Sequence, residues 1–177
     1  MSKIEIISGS ARPERQSHQV ALYLQGILNK NENISAEILD VMEFNFPLLD
    51  YTFSNHPSPP ERMKTFSHRL QNTDAILVVS PEHNGSYSGA LKNTMDYFYK
   101  EYDGKFFGIV TVSNGSLGGI SAMKNLQQYC LTLRGHVSPR GLLTPRVQDL
   151  FKNGNLIDEN YRNRANRFVH SFLEFIT

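Results

Sequence analysis

The sequence predicts an α/β fold in which a five-stranded parallel sheet of order 2-1-3-4-5 carries helices on both faces. Short apolar, β-rich runs alternate with longer segments of helical period, the pattern of repeated strand–helix–strand units. The central runs are apolar without interruption, as strands covered on both faces are. Three Gly- and Ser-rich loops each follow a strand, which in a parallel sheet brings them to one edge. All 177 residues read as one domain, since no repeat, low-complexity tract or linker divides them.

The elements follow in order. Lys3–Ile7 is a short strand that runs into the turn-forming stretch SGSARPER. A helix from about Gln16 to Asn29 sets Val20, Leu24 and Ile27/Leu28 on one face. Ile34–Val41 alternates apolar and polar residues and reads as a second strand, nearer an edge. Asn45 to Pro60 carries four prolines and reads as an irregular loop. Helix resumes from about Pro59 to Asn72, since proline is tolerated in a first helical turn. Asp74–Ser80 is the most apolar run and the central strand; it ends in PEHNGSYSG. The next helix, about Gly89 to Glu101, points Leu91, Met95 and Phe98 inward. Lys105–Val112 is a buried strand ending in SNGSLGG, followed by a helix from about Gly119 to Leu133. His136–Ser138 makes a short fifth strand, and Glu159 to Ile176 a final helix with Phe168, Phe172 and Phe175 on the sheet.

Composition narrows the function. A net charge of +1 with scattered basic residues gives no field or patch for nucleic acid. No apolar run is long enough to span a bilayer, and the N-terminus lacks the apolar core of a signal peptide. The single cysteine, Cys130, excludes an internal disulfide and fits a reducing compartment, so a cytoplasmic location is expected. The six histidines show no metal-ligand spacing.

The three loops line a crevice where the strand order reverses between strands one and three. In the first, Gly9 allows close backbone approach, Ser10 and Ser17 offer hydroxyls, and Arg12 and Arg15 supply charge. With the free amides of the next helix they suit a dianionic phosphomonoester. Neither a nucleotide-triphosphatase loop nor GxGxxG is present. In the second loop, Pro81, Glu82, His83, Asn84 and Gly85 form a backbone platform for a planar ring, with amides able to bond ring heteroatoms. In the third, Ser113, Gly115, Gly118 and Gly119 can lie flat beside a ring edge.

At these residues the sequence resembles the NADPH-dependent FMN reductase family, which also holds azo- and quinone-reducing flavoproteins. The family's opening GSxRxxRxS is matched by Gly9, Ser10, Arg12, Arg15 and Ser17. Its PEYNxS and LKN are matched by Pro81, Glu82, His83, Asn84 and Ser86, then Leu91, Lys92 and Asn93. Its SxGxxGG is matched by Ser113, Gly115, Gly118 and Gly119. Two departures stand out: His83 replaces the usual tyrosine, and a longer first loop leaves Gln16, Ser17 and His18 as alternatives for the phosphate contact.

The resemblance implies a flavodoxin-like three-layer sandwich that binds FMN. NADPH or NADH serves as co-substrate, and a small acceptor (a quinone, an azo compound or a flavin) takes the electrons. By resemblance, Ser10, Arg12, Ser17 and His18 hold the FMN phosphate. Pro81, Glu82, His83 and Asn84 lie along the ring, with Ser113 and Gly115 at its other edge. No catalytic nucleophile or base is required. The rival reading is a flavodoxin-type electron carrier, though such carriers are strongly acidic and this chain is not. The resemblance also implies a homodimer or homotetramer. The sequence adds its own argument, since Tyr97, Phe98, Tyr99 and Tyr102 are too many aromatics for one helix to bury on a single sheet.

Overall fold

The uninterrupted apolar runs assemble as a parallel sheet in a computed structural model that describes residues 1–176. Strand β1 (Ser2–Ser8) lies between β2 (Ile34–Asp40) and β3 (Ala75–His83), each parallel to it. A two-residue strand β4 (Ser86–Tyr87) folds back on the end of β3, and β5 (Phe106–Val112) pairs with β3 on its far side. The fifth position is shared by two short pieces. β6 (His136–Val137) pairs with the start of β5, and β7 (Leu142–Thr144) with its end. Pro139 lies between them and has no N–H to give, so the ladder breaks there. The expected order 2-1-3-4-5 therefore holds for the long strands, with β6 and β7 together as the last.

Side-chain alternation along each strand divides the core in two. Ile4, Ile6, Leu77 and Val79 face α1 (Gln16–Leu28) and α6 (Glu159–Ile176), which contributes Phe168 and Phe172. Ile7, Ile76, Val78 and Ile109 face the other layer. That layer comprises α3 (Glu61–Gln71), α4 (Gly89–Asp96) and α5 (Ile120–Thr132). A four-residue helix α2 (Val41–Phe44) follows β2, and a small hairpin of β8 (Phe151–Lys152) and β9 (Asn155–Leu156) precedes α6. Neither piece is long enough to leave a periodic signal. Cys130 is buried as expected, and burial pushes its thiol up to about 12.

The helix expected over 89–101 ends instead at Asp96. After it the chain turns inward, closing with a 3-10 turn at Lys100–Tyr102. Tyr97, Phe98 and Tyr102 are buried within the subunit, and only Tyr99 is about half exposed. The cover comes from elements other than the sheet: Phe98 stacks on Phe66 of α3 at 5.0 Å and packs on Phe46 and Phe53 of the proline-rich loop. Three of the four aromatics are thus covered within the subunit, so their number does not call for a subunit interface to bury them.

The proline-rich loop is itself tied down. The Asn93 side chain donates to Pro47 O at 2.7 Å and accepts from Leu49 N at 2.9 Å. The Tyr97 hydroxyl donates to Pro47 O at 3.0 Å.

Candidate functional site

The C-terminal ends of β1, β3 and β5 deliver the three loops to one edge, where they enclose a cleft of about 310 Å³. That is at the lower end of the size of small-molecule sites.

The first loop forms one end of the cleft. Helix α1 begins after Arg15 with no side-chain cap, so amides of its first turn remain free. Ser17 sits in that turn at the cleft wall, only 2% exposed, and its Oγ has no hydrogen-bond partner. Among the described residues, Ser17 Oγ and Tyr102 Oη are the buried side-chain polar atoms left unpaired. Such atoms are rare because each costs about 1–3 kcal/mol. Ser10 is buried beside it, with its Oγ accepting from Arg12 N at 3.4 Å. Arg12 is exposed at the rim and, among the described residues, its guanidinium has no partner.

Two predicted phosphate ligands are engaged elsewhere. Arg15 lines the cleft, but its guanidinium donates to Ser10 O at 3.2 Å and is paired with the Asp40 carboxylate. His18 turns its Nδ1 inward, 3.0 Å from Ser8 Oγ and 3.5 Å from Asp40 Oδ2, and is not part of the cleft wall. Burial lowers its pKa below the ordinary 6.5, with the pull of Asp40 opposing. Gly9 is tight for packing reasons: an added Cβ would lie 3.0 Å from both Val79 O and the Leu91 side chain.

The second loop is a β-hairpin. β3 continues through Pro81, Glu82 and His83, which line the cleft, and Asn84–Gly85 makes the two-residue turn to β4. Both turn residues have positive φ, 51° and 78°, as an Asn-Gly hairpin turn requires. Asn84 and Gly85 are not among the residues that line the cleft. The Glu82 carboxylate accepts from the amides of Ser121 and Ala122, each at 3.1 Å. It caps α5, whose own N-cap is Gly119 and has no side chain for the purpose. Asn125 of α5 holds the tip, donating to Gly85 O at 3.1 Å.

In the third loop, Ser113 lines the cleft, and its Oγ accepts from Gly115 N at 3.0 Å. Gly115 and Gly118 lie outside the cleft wall. Gly118 has φ +63°, and an added Cβ would lie 2.9 Å from Pro145 N and 3.0 Å from Thr144 N. Its reason is backbone packing against the segment after β7.

The structure thus brings together Ser10, Arg12, Arg15, Gln16, Ser17, Pro81, Glu82, His83 and Ser113 around one cleft. His18, Asn84, Gly85, Gly115 and Gly118 stand behind it. Sequence reasoning missed Pro13, Glu14, Val112, Asn114 and Val147, which also line it. Asn114 was visible within SNGSLGG. Val147 reaches the cleft because its amide donates to Ser113 O at 3.2 Å, a pairing between remote loops that leaves no local signal. Among the described residues, no group of His, Cys, Asp and Glu could hold a metal ion, and no helix is long and apolar enough to cross a membrane.

The profile of NADPH-dependent FMN reductase matches residues 2–148. The chain is 30% identical over 180 residues to a quinone reductase of Pseudomonas putida, covering 98% of this chain and 94% of that one. It is 30% identical over 182 residues to an FMN-dependent NADPH-azoreductase of Staphylococcus aureus, covering 97% and 93%. Among solved structures, the flavoenzyme NAD(P)H:acceptor oxidoreductase of Paracoccus denitrificans superposes with a TM-score of 0.84 at 22% identity, over 99% of this chain and 97% of that one. That likeness establishes the flavodoxin-like fold. With the three loop motifs gathered at one cleft, the chain belongs to the NADPH-dependent FMN reductase family.

Proposed function

We propose that this protein binds FMN in the cleft and uses it to reduce a small acceptor, a quinone, azo compound or flavin, at the expense of NADPH or NADH. The observation that carries the reading is Ser17 Oγ, buried and unpartnered at the uncapped start of α1 beside the free Arg12 guanidinium. A phosphate there satisfies the hydroxyl, the free amides and the cation together. FMN held there by Ser10, Arg12, Ser17 and the α1 amides would supply the redox chemistry between nicotinamide and acceptor.

The chain's own residues position the group. Ser10, Arg12, Ser17 and the α1 amides hold the phosphate, with Gln16 beside them. Pro81, Glu82 and His83 present β3 backbone along one side of the ring, and Ser113 and Asn114 border the other. Glu82 acts by holding the hairpin against α5 rather than by touching the ring with a free carboxylate.

The protein works as a homodimer in the cytoplasm in this reading. Leu48 is 86% exposed on a backbone that Asn93 and Tyr97 pin in place, next to a groove lined by Ala11, Val41, Phe46 and Ala90. A rigid apolar knob beside an apolar groove suits a self-complementary two-fold contact. Light scattering showing a monomer at micromolar concentration removes the dimer.

The function is tested by adding FMN to the purified protein and then NADPH or NADH without oxygen. Quenching of flavin fluorescence near one equivalent, then bleaching of the oxidised-flavin absorbance, supports the reductase. Binding without bleaching by either nicotinamide identifies an electron carrier. No binding refutes the cofactor assignment.

A further inference from the structure

A buried carboxylate lies directly behind the first loop. Asp40 closes β2, is 2% exposed, and uses Oδ1 to accept from Met42 N at 2.9 Å. Its Oδ2 takes the Arg15 Nη2 donor. Nη1 of the same guanidinium reaches the Ser10 carbonyl at 3.2 Å. Arg15 therefore ties the start of the loop, at Ser10, to its end, and fastens both to the edge of the sheet. A planar fork with fixed donor directions can make that span, which a lysine ammonium cannot.

The charge is on the wrong side for an anion site. Asp40 is not part of the cleft wall, and its buried carboxylate adds negative charge behind the loop, which opposes an anion bound in front of it. Asp40 must supply a geometric gain that exceeds that cost. Both terminal nitrogens of Arg15 hold partners, whereas the Arg12 guanidinium at the rim has none among the described residues.

We propose that Asp40 is a positioning residue for the phosphate cradle: through Arg15 it holds the Gly9–Arg15 loop in the shape that aims Ser10, Arg12, Ser17 and the α1 amides at one point. Arg15 is then a brace of the cradle and not a ligand of the anion. This inference rests on the FMN reading above.

The test compares FMN with riboflavin, which carries the same ring without the phosphate, by fluorescence titration of the apoprotein. Asp40→Asn keeps the acceptor for Met42 N and removes the charge that holds Arg15. It is expected to weaken FMN by about tenfold or more while riboflavin changes by less than about twofold, a difference of about 1 kcal/mol or more. The sign decides between roles. A mere counter-charge would, when removed, leave Arg15 free to attract the phosphate and tighten FMN binding.

Unchanged or tighter FMN binding in Asp40→Asn overturns the proposal, as does an equal loss of FMN and riboflavin. If Asp40→Asn does not fold, Arg15→Lys carries the test, because it keeps the charge and loses the fork. Loss of FMN alone supports the brace, and unchanged FMN affinity overturns it. Wild-type protein that binds FMN no better than riboflavin refutes the phosphate cradle itself, and this inference with it. An effect missing only in the variants refutes the positioning role alone.

Discussion

Replacing Ser17 by alanine separates a functional hydroxyl from a structural one, because the two roles predict opposite signs for stability. Ser17 Oγ is buried without a partner, so in the ligand-free protein it bears a desolvation penalty of about 1–3 kcal/mol. Ser17→Ala removes that penalty and leaves only a small void. A net gain of about 1 kcal/mol in apoprotein stability is expected, which for a chain of this size raises Tm by about 2–4 °C. With FMN the sign reverses. A hydrogen bond to a charged phosphate is worth about 1.5–3 kcal/mol, so FMN affinity falls by about 10- to 150-fold. Thermal melts of the apoprotein and fluorescence titrations with FMN measure both quantities on the same sample. Tyr102→Phe is the control, since it removes the other unpaired buried hydroxyl, in the core. It is expected to match the gain in stability and to leave FMN affinity unchanged. A Ser17→Ala apoprotein that melts lower than wild type, or one that binds FMN equally well, refutes the assignment of this hydroxyl to the phosphate.

Other outcomes follow from the supporting residues. Gly118→Ala forces an alanine into φ +63° against the backbone of Thr144 and Pro145, and a loss of about 2 kcal/mol or more is expected in urea unfolding. Glu82→Ala uncaps α5 and costs about 0.5–2 kcal/mol, whereas Glu82→Gln keeps an acceptor for the Ser121 and Ala122 amides and costs less. A similar midpoint for the two variants rules out the capping role. His18, with Asp40, Arg15 and Glu43 around it, has a pKa lowered by burial. The unfolded chain therefore takes up a proton that folded His18 resists. Its contribution to stability is whole above about pH 6.5 and is lost as the pH falls from there through the lower folded pKa. His18→Gln should flatten that part of the stability–pH profile, and a profile parallel to wild type excludes the effect.

Strands and helices were legible where a period ran long enough to be counted. Gln16–Leu28 and Glu159–Ile176 match their expected spans closely, because an amphipathic stripe is a local property of the chain. The Asn84–Gly85 turn was legible too, since that dipeptide between extended residues is a hairpin signal. The segment was expected as a backbone platform for a ring, and the structure makes it a hairpin. The helix after Ser88 was overextended because Tyr97 and Phe98 continue its apolar spacing, while what ends the helix is the burial of those rings against Phe46, Phe53 and Phe66 from distant segments.

The sequence by itself determined the sheet order, the edge at which three loops meet, and the small hydroxyl and basic residues they bring there. Each of these follows from a pattern that neighbours along the chain impose on one another. Tertiary structure alone decided which of those residues are free to meet a ligand. Arg12 and Arg15 are three positions apart and chemically alike, yet one stands unpaired at the rim and the other is held by Asp40, 25 residues away. Glu82 finds its partners in α5, about 40 residues on. A charged side chain takes whichever opposite charge or dipole the folded chain sets within hydrogen-bond reach, and that distance is written in the packing of the layers, not in the spacing of the residues.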